Sequence, residues 1–557
     1  MMEPFERIDI QELPLNVPSF RRKAEDFLGR NGLRLEEVDL YLAVLDEDGG
    51  ILAGGGLHRD IIKCIAVSES ARSLGLSVPL ISRLISAASE RGYTNVKVFT
   101  KPENHTVFES LGFKILAEAP KAILMENGRG LEDYCRYLRE FHAVGVIVMN
   151  ANPFTLGHRY LVEQAASVIS GDSPRRRPRK LIIIPVKEDR SRFPYIARVE
   201  MIRQGSQGLA TVVEGSDYQI SDATFPTYFL KDLSDAAETQ MRLDIDLFGR
   251  HIAPALGARI RFVGSEPSDA LTARYNALMK ELLPAYGVKV VEVPRLHDSD
   301  GAISASWVRA SLAAGDFASA SALTPESSRP NLMTYLAVRA LQMELEAPMK
   351  PGLVGPDSNG AHKDMDYALM LRSIDAIRPF FPRMALAASP EELRQIGIDA
   401  EKAMLAATGG VNTHRGAIFA IGLALYGRPL AETAAALDNG SSARRDPVVK
   451  GAMQMALDGY RDLYEDWLPY YRGVKDQHLG LQKTLLRIMS TLDDTCVIKR
   501  AGYDRAQEVK REAKELLDGF SQKKLMQLCD RYADEGISPG GAADMLALTI
   551  FMDSIIQ

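Results

Sequence analysis

Apolar residues follow several rhythms along this chain. Over 144–149 they run without interruption, as a strand covered on both faces requires, and beyond it Leu161, Val162, Ala165, Ala166, Val168 and Ile169 recur at helical spacing. Short apolar runs at 181–186, 260–263 and 288–293 alternate with further helical patterns, which predicts a parallel α/β sheet. Upstream, 40–45 and 61–67 read as strands, with D-E-D-G-G at 46–50 as a hairpin turn and a helix opening at R-S-L-G-L-S, 72–77. At 323–332 the stretch L-T-P-E-S-S-R-P-N-L reads as a linker, and beyond it strand signals fade while helical periodicity dominates. The expectation is a multidomain chain: an α+β domain over 1–130, an α/β domain over 140–322, a linker at 323–333 and an all-α domain over 334–557.

Composition narrows the class. At 557 residues the chain exceeds what one core organises, and 46% hydrophobic with 25% charged residues is a globular balance. A net charge of -6 weighs against nucleic acid as the main partner. The basic run Arg175, Arg176, Arg177, Arg179 and Lys180 lies among Gly171, Pro174 and Pro178 and reads as a solvated loop. Cys64, Cys135, Cys496 and Cys529 are too scattered for a disulfide framework or a zinc site. With no basic leader and no apolar run of about 18 residues, a cytoplasmic protein without a membrane partner is expected.

The chemistry starts at V-M-N-A-N-P-F-T-L-G-H, 148–158. Gly157 lets backbone approach a ligand, and His158 opens a helix whose free N–H groups and dipole favour an anion. Alone, this also fits an ordinary turn with a capping histidine. The order T-x-G-H after a strand resembles the signature of the nucleotidylyltransferase superfamily, and I-S-A-S-W-V-R at 303–309 resembles its second motif, with Ser304 or Ser306 capping a helix and Arg309 offering a charged fork to phosphate. The resemblance implies a Rossmann-like central domain and ATP as substrate. In the amino-terminal domain, R-S-L-G-L-S and N-H-T-V-F-E-S-L-G-F at 104–113 resemble GNAT acyltransferases, although Ser77 stands where that loop carries glycine or alanine.

Further segments are more specific: V-K-E-D-R-S-R-F-P-Y at 186–195, S-D-A-T-F-P-T-Y-F-L-K at 221–231, A-P-A-L-G at 253–257 and F-V-G-S-E-P at 262–267. With the two motifs they resemble the citrate lyase ligase family over roughly 35–325. The resemblance implies that acetate attacks ATP to give acetyl-adenylate and pyrophosphate, and that the acetyl group then passes to a prosthetic thiol on the lyase's acyl carrier subunit. It places Asn152, Pro153, Phe154, Thr155, Gly157 and His158 around ATP. His158 and Arg309 would steady the triphosphate, Lys187 and Arg192 the leaving pyrophosphate, Glu266 the adenosine, and Ser304 and Ser306 the motif helix. Magnesium bridging the phosphates is expected.

In the last third, K-P-G-L-V at 350–354, N-G-A-H-K-D-M-D at 359–366, T-G-G-V-N-T-H-R-G-A at 408–417, D-D-T-C-V-I-K-R-A-G at 493–502 and S-P-G-G-A-A-D at 538–544 put charge or glycine where helices meet loops. Asp364, Asp366, Asp493 and Asp494 are hard oxygen ligands suited to magnesium, and Lys350, Lys363 and Arg415 offer counter-charge. Each acidic pair also fits a helix start complementing the dipole. Together these segments resemble the triphosphoribosyl-dephospho-CoA synthase family over about 335–553, which implies transfer of the ribosyl triphosphate of ATP to dephospho-CoA with release of adenine. Candidate residues there include His362, Asn412, His414 and Arg500. Two departures stand out. Gly355 replaces the family's acidic residue, with Asp357 two positions on, and L-P-Y-Y-R-G-V-K-D-Q-H-L-G at 468–480 stands where G-x-R-G-E is usual.

The expectation is a bifunctional maturation enzyme for citrate lyase. A ligase with an inactive helical domain, a generic nucleotidylyltransferase and a non-catalytic assembly factor remain open alternatives.

Overall fold

The computed structural model of the protein describes residues 8–170, 180–187, 191–220, 226, 233–266, 269–298, 301–437 and 452–556. Arg175, Arg176, Arg177 and Arg179, and nearly all of 221–231, lie outside the described residues. The chain forms two compact units, Met1–Ile303 and Ser304–Gln557.

The first unit holds two sheets. The seven-stranded one comprises β1 (Gln11–Glu12), β2 (Leu40–Leu45), β3 (Ile51–His58), β4 (Ile61–Val67), β5 (Val96–Thr100), β6 (Lys114–Ala119) and β7 (Ala122–Asn127), in the order β1-β2-β3-β4-β5-β7-β6. It is antiparallel except at β4 and β5, which pair only through Ile61↔Lys97 and Ile62↔Val98. Residues 46–50 make the expected hairpin turn. Gly49 takes φ 77, its N–H donates to the Asp46 carbonyl at 2.9 Å, and the Asp46 side chain accepts from Gly50 N–H at 2.6 Å.

The second sheet is parallel and comprises β8 (Gly145–Met149), β9 (Leu181–Pro185), β10 (Thr211–Val212), β11 (Ile260–Gly264) and β12 (Lys289–Val293), in the order β10-β9-β8-β11-β12. Strands β8 and β9 are almost wholly buried, which is why their sequences run apolar without alternation. From β8 the chain moves outward one way through β9 and β10 and then the other way through β11 and β12. The loops after β8, β9, β11 and β12 therefore share the carboxyl edge at a point where strand order reverses.

Two expectations change here. The amino-terminal sheet keeps one core of its own, through Leu57, Leu80, Leu84 and Val98, but shares a second, because another buried cluster joins Leu13, Phe27 and Leu124 through Leu131 and Leu138 to Val146, Ile182 and Leu278. The stretch 323–333 is not an extended linker. It holds a 3-10 turn at Glu326–Ser328 and the start of helix Arg329–Glu346. Pro330 lies in that helix's first turn, where its missing N–H costs no hydrogen bond, so a residue read as a break starts a helix instead.

Among the described residues the second unit is built from helices alone. Its centre is Gly540–Ile555, buried almost all round through Ala542, Met545, Leu546, Leu548, Phe551 and Met552. No described helix is long and apolar enough to cross a membrane.

Candidate active sites

In the first unit the loop after β8 feeds helix Leu156–Ser170, and Thr155 occupies its cap. Thr155 Oγ1 accepts the His158 N–H at 3.3 Å, while the Thr155 N–H donates to His158 Nδ1 at 3.1 Å. Because Nδ1 is an acceptor, the neutral ring carries its proton on Nε2. Burial, with the Arg295 charge adding to it, lowers the His158 pKa from 6.5 to about 4, so the ring stays neutral at physiological pH. The Phe154 ring stacks on it with centroids 5.6 Å apart.

Asn152 and Asn150 tie this loop to the next one. Asn152 Oδ1 accepts from Phe193 N–H at 3.1 Å, and Asn150 Oδ1 accepts from Arg198 Nη1 at 2.7 Å. Arg198, fully buried, also donates to the carbonyls of Asn150, Val186 and Phe193 at 2.9, 2.8 and 3.1 Å. It thereby locks together the two loops that carry Asn152–His158 and Lys187–Arg192. Lys187 is half-exposed and lies 3.7 Å from Asp217. Glu266, after β11, pairs with Arg295 at 2.5 Å, and burial raises its pKa against that pairing. Sequence reading missed Arg198 and Arg295. No motif marks either one, and only their position at the carboxyl edge reveals them.

Ser304 caps Ala305–Ala314 at the start of the second unit, with Oγ accepting from Trp307 N–H at 3.3 Å and lying 2.8 Å from Ser306 Oγ. Arg309, partly buried, projects from that helix's second turn.

Elsewhere in the second unit a cavity of about 530 Å³ gathers Asn412, Arg415, Asp493 and Asp494 with Glu401, Lys499 and Asp544 against an apolar wall that includes Phe419, Leu423 and Met545. Asp544 closes the S-P-G-G-A-A-D segment, whose glycines were the only sequence signal for it. Asp494 caps Thr495–Ala501, accepting from Cys496 and Val497 N–H at 2.8 and 3.3 Å, and also accepts from Ala542 N–H at 2.9 Å. Asp493 pairs with Lys510 at 2.8 Å, and Arg415 with Glu401 at 3.1 Å.

The remaining candidates lie apart. His362 bonds Ser538 Oγ at 2.7 Å and lies 3.3 Å from Arg500 and 3.7 Å from Asp364. Asp366 caps Tyr367–Ile377, and Lys363 is exposed. The expected magnesium set of Asp364, Asp366, Asp493 and Asp494 is thus not assembled. Two of the four serve as helix caps, and among the described residues no group of three His, Cys, Asp or Glu side chains could hold a metal. Lys350 is likewise not an exposed counter-charge. Its buried ammonium donates to the Glu344 carbonyl and carboxylate, each at 2.7 Å.

His414 is 3% exposed, with Nδ1 at 2.7 Å from Ser373 Oγ, and burial followed by the Lys350 charge lowers its pKa from 6.5 to about 4. The unfolded chain takes up this proton below pH 6.5 and the folded chain refuses it, so stability is lost as pH falls from 6.5 toward 4. Trp467, fully buried in the second unit, reports the unfolding of that unit by its fluorescence. The urea midpoint read this way should drop less between pH 7 and 5 in His414→Gln than in the wild type. An equal drop would refute the assignment.

Residues 144–332 match the family model described as citrate lyase ligase C-terminal domain. The citrate (pro-3S)-lyase ligase of Haemophilus influenzae is 39% identical over 335 residues, covering 58% of this chain and 96% of that one. The chain belongs to the citrate lyase ligase family. The Klebsiella pneumoniae ligase agrees, at 41% over 56% of this chain and 93% of its own. Beyond this ligase part, 330–439 and 427–557 match the model described as ATP:dephospho-CoA triphosphoribosyl transferase. An Azotobacter vinelandii protein named as a 2-(5''-triphosphoribosyl)-3'-dephosphocoenzyme-A synthase is 34% identical over 42% of this chain and 94% of its own. The ligase match ends where the synthase match begins, so one chain spans members of both families.

Proposed function

We propose that the chain is a bifunctional citrate lyase maturation enzyme that uses ATP twice. The carrying observation is that nearly full-length members of two families lie in series on one polypeptide. In the ligase reaction acetate, already an anion, attacks the α-phosphorus, so fixed donors and positive charge matter more than a general base. His158 Nε2–H and the N–H groups at the start of Leu156–Ser170 hold the phosphates, Lys187 supplies charge, and Arg192 receives pyrophosphate. Glu266 faces the adenosine through its pairing with Arg295. The acyl-adenylate then meets the prosthetic thiol of the carrier subunit. The reversal point of the parallel sheet supports a Rossmann-like reading of the central domain, and the brief β4–β5 pairing supports a GNAT-like reading of the amino-terminal one.

In the synthase reaction the cavity takes ATP and dephospho-CoA, with Asn412, Arg415 and Lys499 at its polar end. Magnesium belongs to this reading as a companion of the triphosphate. The aspartates named for it do not form a cage among the described residues.

Protein incubated with ATP and a magnesium salt, with acetate or dephospho-CoA added separately, tests both halves by product mass. AMP and pyrophosphate are expected only with acetate, and adenine only with dephospho-CoA. Pyrophosphate release indifferent to acetate would overturn the ligase reading, and absence of adenine would leave the chain a ligase with an inactive helical part.

A further inference from the structure

The acidic side chains lining the cavity of the second unit are not equivalent. Asp494 gives both oxygens to helix N–H groups, Asp493 has Lys510, and Glu401 has Arg415. Asp544 is placed differently. It accepts from the backbone N–H of Ala417, and a Cβ built on Gly416 would lie 1.9 Å from its Oδ2, so helix Arg415–Tyr426 presses bare backbone against the carboxyl. The groups facing it from neighbouring elements are Glu344 on Arg329–Glu346, Asp494 and Cys496 at the start of Thr495–Ala501, and Tyr460. Of the cations nearby, Lys350 is held by Glu344 and Arg415 by Glu401, and Lys499 lines the same cavity. The Tyr460 hydroxyl is buried and has no hydrogen-bond partner among the described residues. The cavity lining also includes Phe419, Leu423 and Met545, apolar surface suited to a flat purine.

We propose that Asp544 is the general acid of triphosphoribosyl transfer, donating its proton to a ring nitrogen of the departing adenine. The inference rests on reading the second unit as the transferase. The glycosidic C1'–N9 bond of ATP breaks, and a bond forms from C1' to the 2'-hydroxyl oxygen of dephospho-CoA. The hydroxyl proton is released to solvent, the base leaves as neutral adenine with the Asp544 proton, and the Asp544 carboxylate is reprotonated from solvent. Protons and charge balance over the turnover. Burial, together with the Glu344 and Asp494 carboxylates, raises the Asp544 pKa well above the usual carboxylate range, which keeps a proton available.

The test compares wild type with Asp544→Asn in the full chain. Adenine release should fall at least about a hundredfold, the loss of a general acid. Calorimetric affinity for ATP should stay within about threefold, and acetate-dependent AMP formation should be unchanged. In the wild type, kcat for adenine release should decline as pH rises through the Asp544 pKa, and the Asn variant should lose that limb. A variant keeping more than a tenth of wild-type turnover would overturn the proposal. So would a wild-type rate that rises with pH over the same limb, since a carboxylate that accepts from ribose hydroxyls or holds a cation would need to be ionised. Wild-type protein that releases no adenine overturns the reading of the unit itself, which is a separate failure.

Discussion

Replacing His158 with alanine is expected to cut acetate-dependent AMP formation by at least about a hundredfold while adenine release from ATP and dephospho-CoA continues at the wild-type rate. The magnitude follows from the removal of one preorganised donor at a phosphate that gathers charge, typically about 3–4 kcal/mol of transition-state stabilisation. The donor is preorganised because Thr155 N–H holds Nδ1 and Phe154 packs on the ring. His158→Asn, which keeps an N–H donor on a shorter arm, should recover part of the loss. The two activities should separate because His158 lies in the first unit and the cavity residues in the second. Loss of both activities in a folded His158→Ala protein would sink the two-site reading. With a ring pKa of about 4, the ligase rate should show no step near pH 6.5 that His158→Ala removes.

The largest structural effect is expected from Arg198→Met. The side chain is fully buried and makes at least four hydrogen bonds, three of them to main-chain carbonyls of loops leaving β8 and β9. Methionine fills much of the volume but leaves those acceptors without donors, which should cost roughly 3–5 kcal/mol. A lower calorimetric transition for the first unit, shifted by about 10 °C, is the expected reading. Trp467 fluorescence should be unaffected, because that residue is buried within the second unit. Ligase turnover should fall with the stability, since the same loops carry Asn152–His158 and Lys187. Lysine should rescue little, because a single ammonium cannot reach acceptors set out for a guanidinium fork. A shift under about 2 °C would mean the loops hold without it.

Much of the first site was legible because it is local. Asn152 to His158 form one strand-to-helix turn, and a cap, a glycine and a histidine at fixed spacing have few other geometries open to them. The strands at 40–45, 61–67, 181–186 and 260–263 appear within a residue of their expected limits, since uninterrupted apolar runs are a property of neighbouring positions. Lys350 illustrates the opposite case. A lysine before a glycine at a helix–loop junction looks like a phosphate ligand, and only packing shows it buried against Glu344. The same holds for Asp366 and Asp494, whose oxygens could meet either a metal or the N–H groups of their own helices, and which meet the N–H groups.

By itself the sequence determined the order of elements, the parallel and helical character of successive parts, and the motif turn at His158. These depend on side-chain periodicity and hydrogen bonds within a few residues. The tertiary structure alone decided that the two sheets share a core, that Arg198 ties together the loops after β8 and β9, and that Asp544 comes to face Asp494 and Glu344. Those outcomes depend on which distant donors, acceptors and apolar faces meet when the chain closes on itself, and a linear pattern carries the inventory of such groups without their pairing.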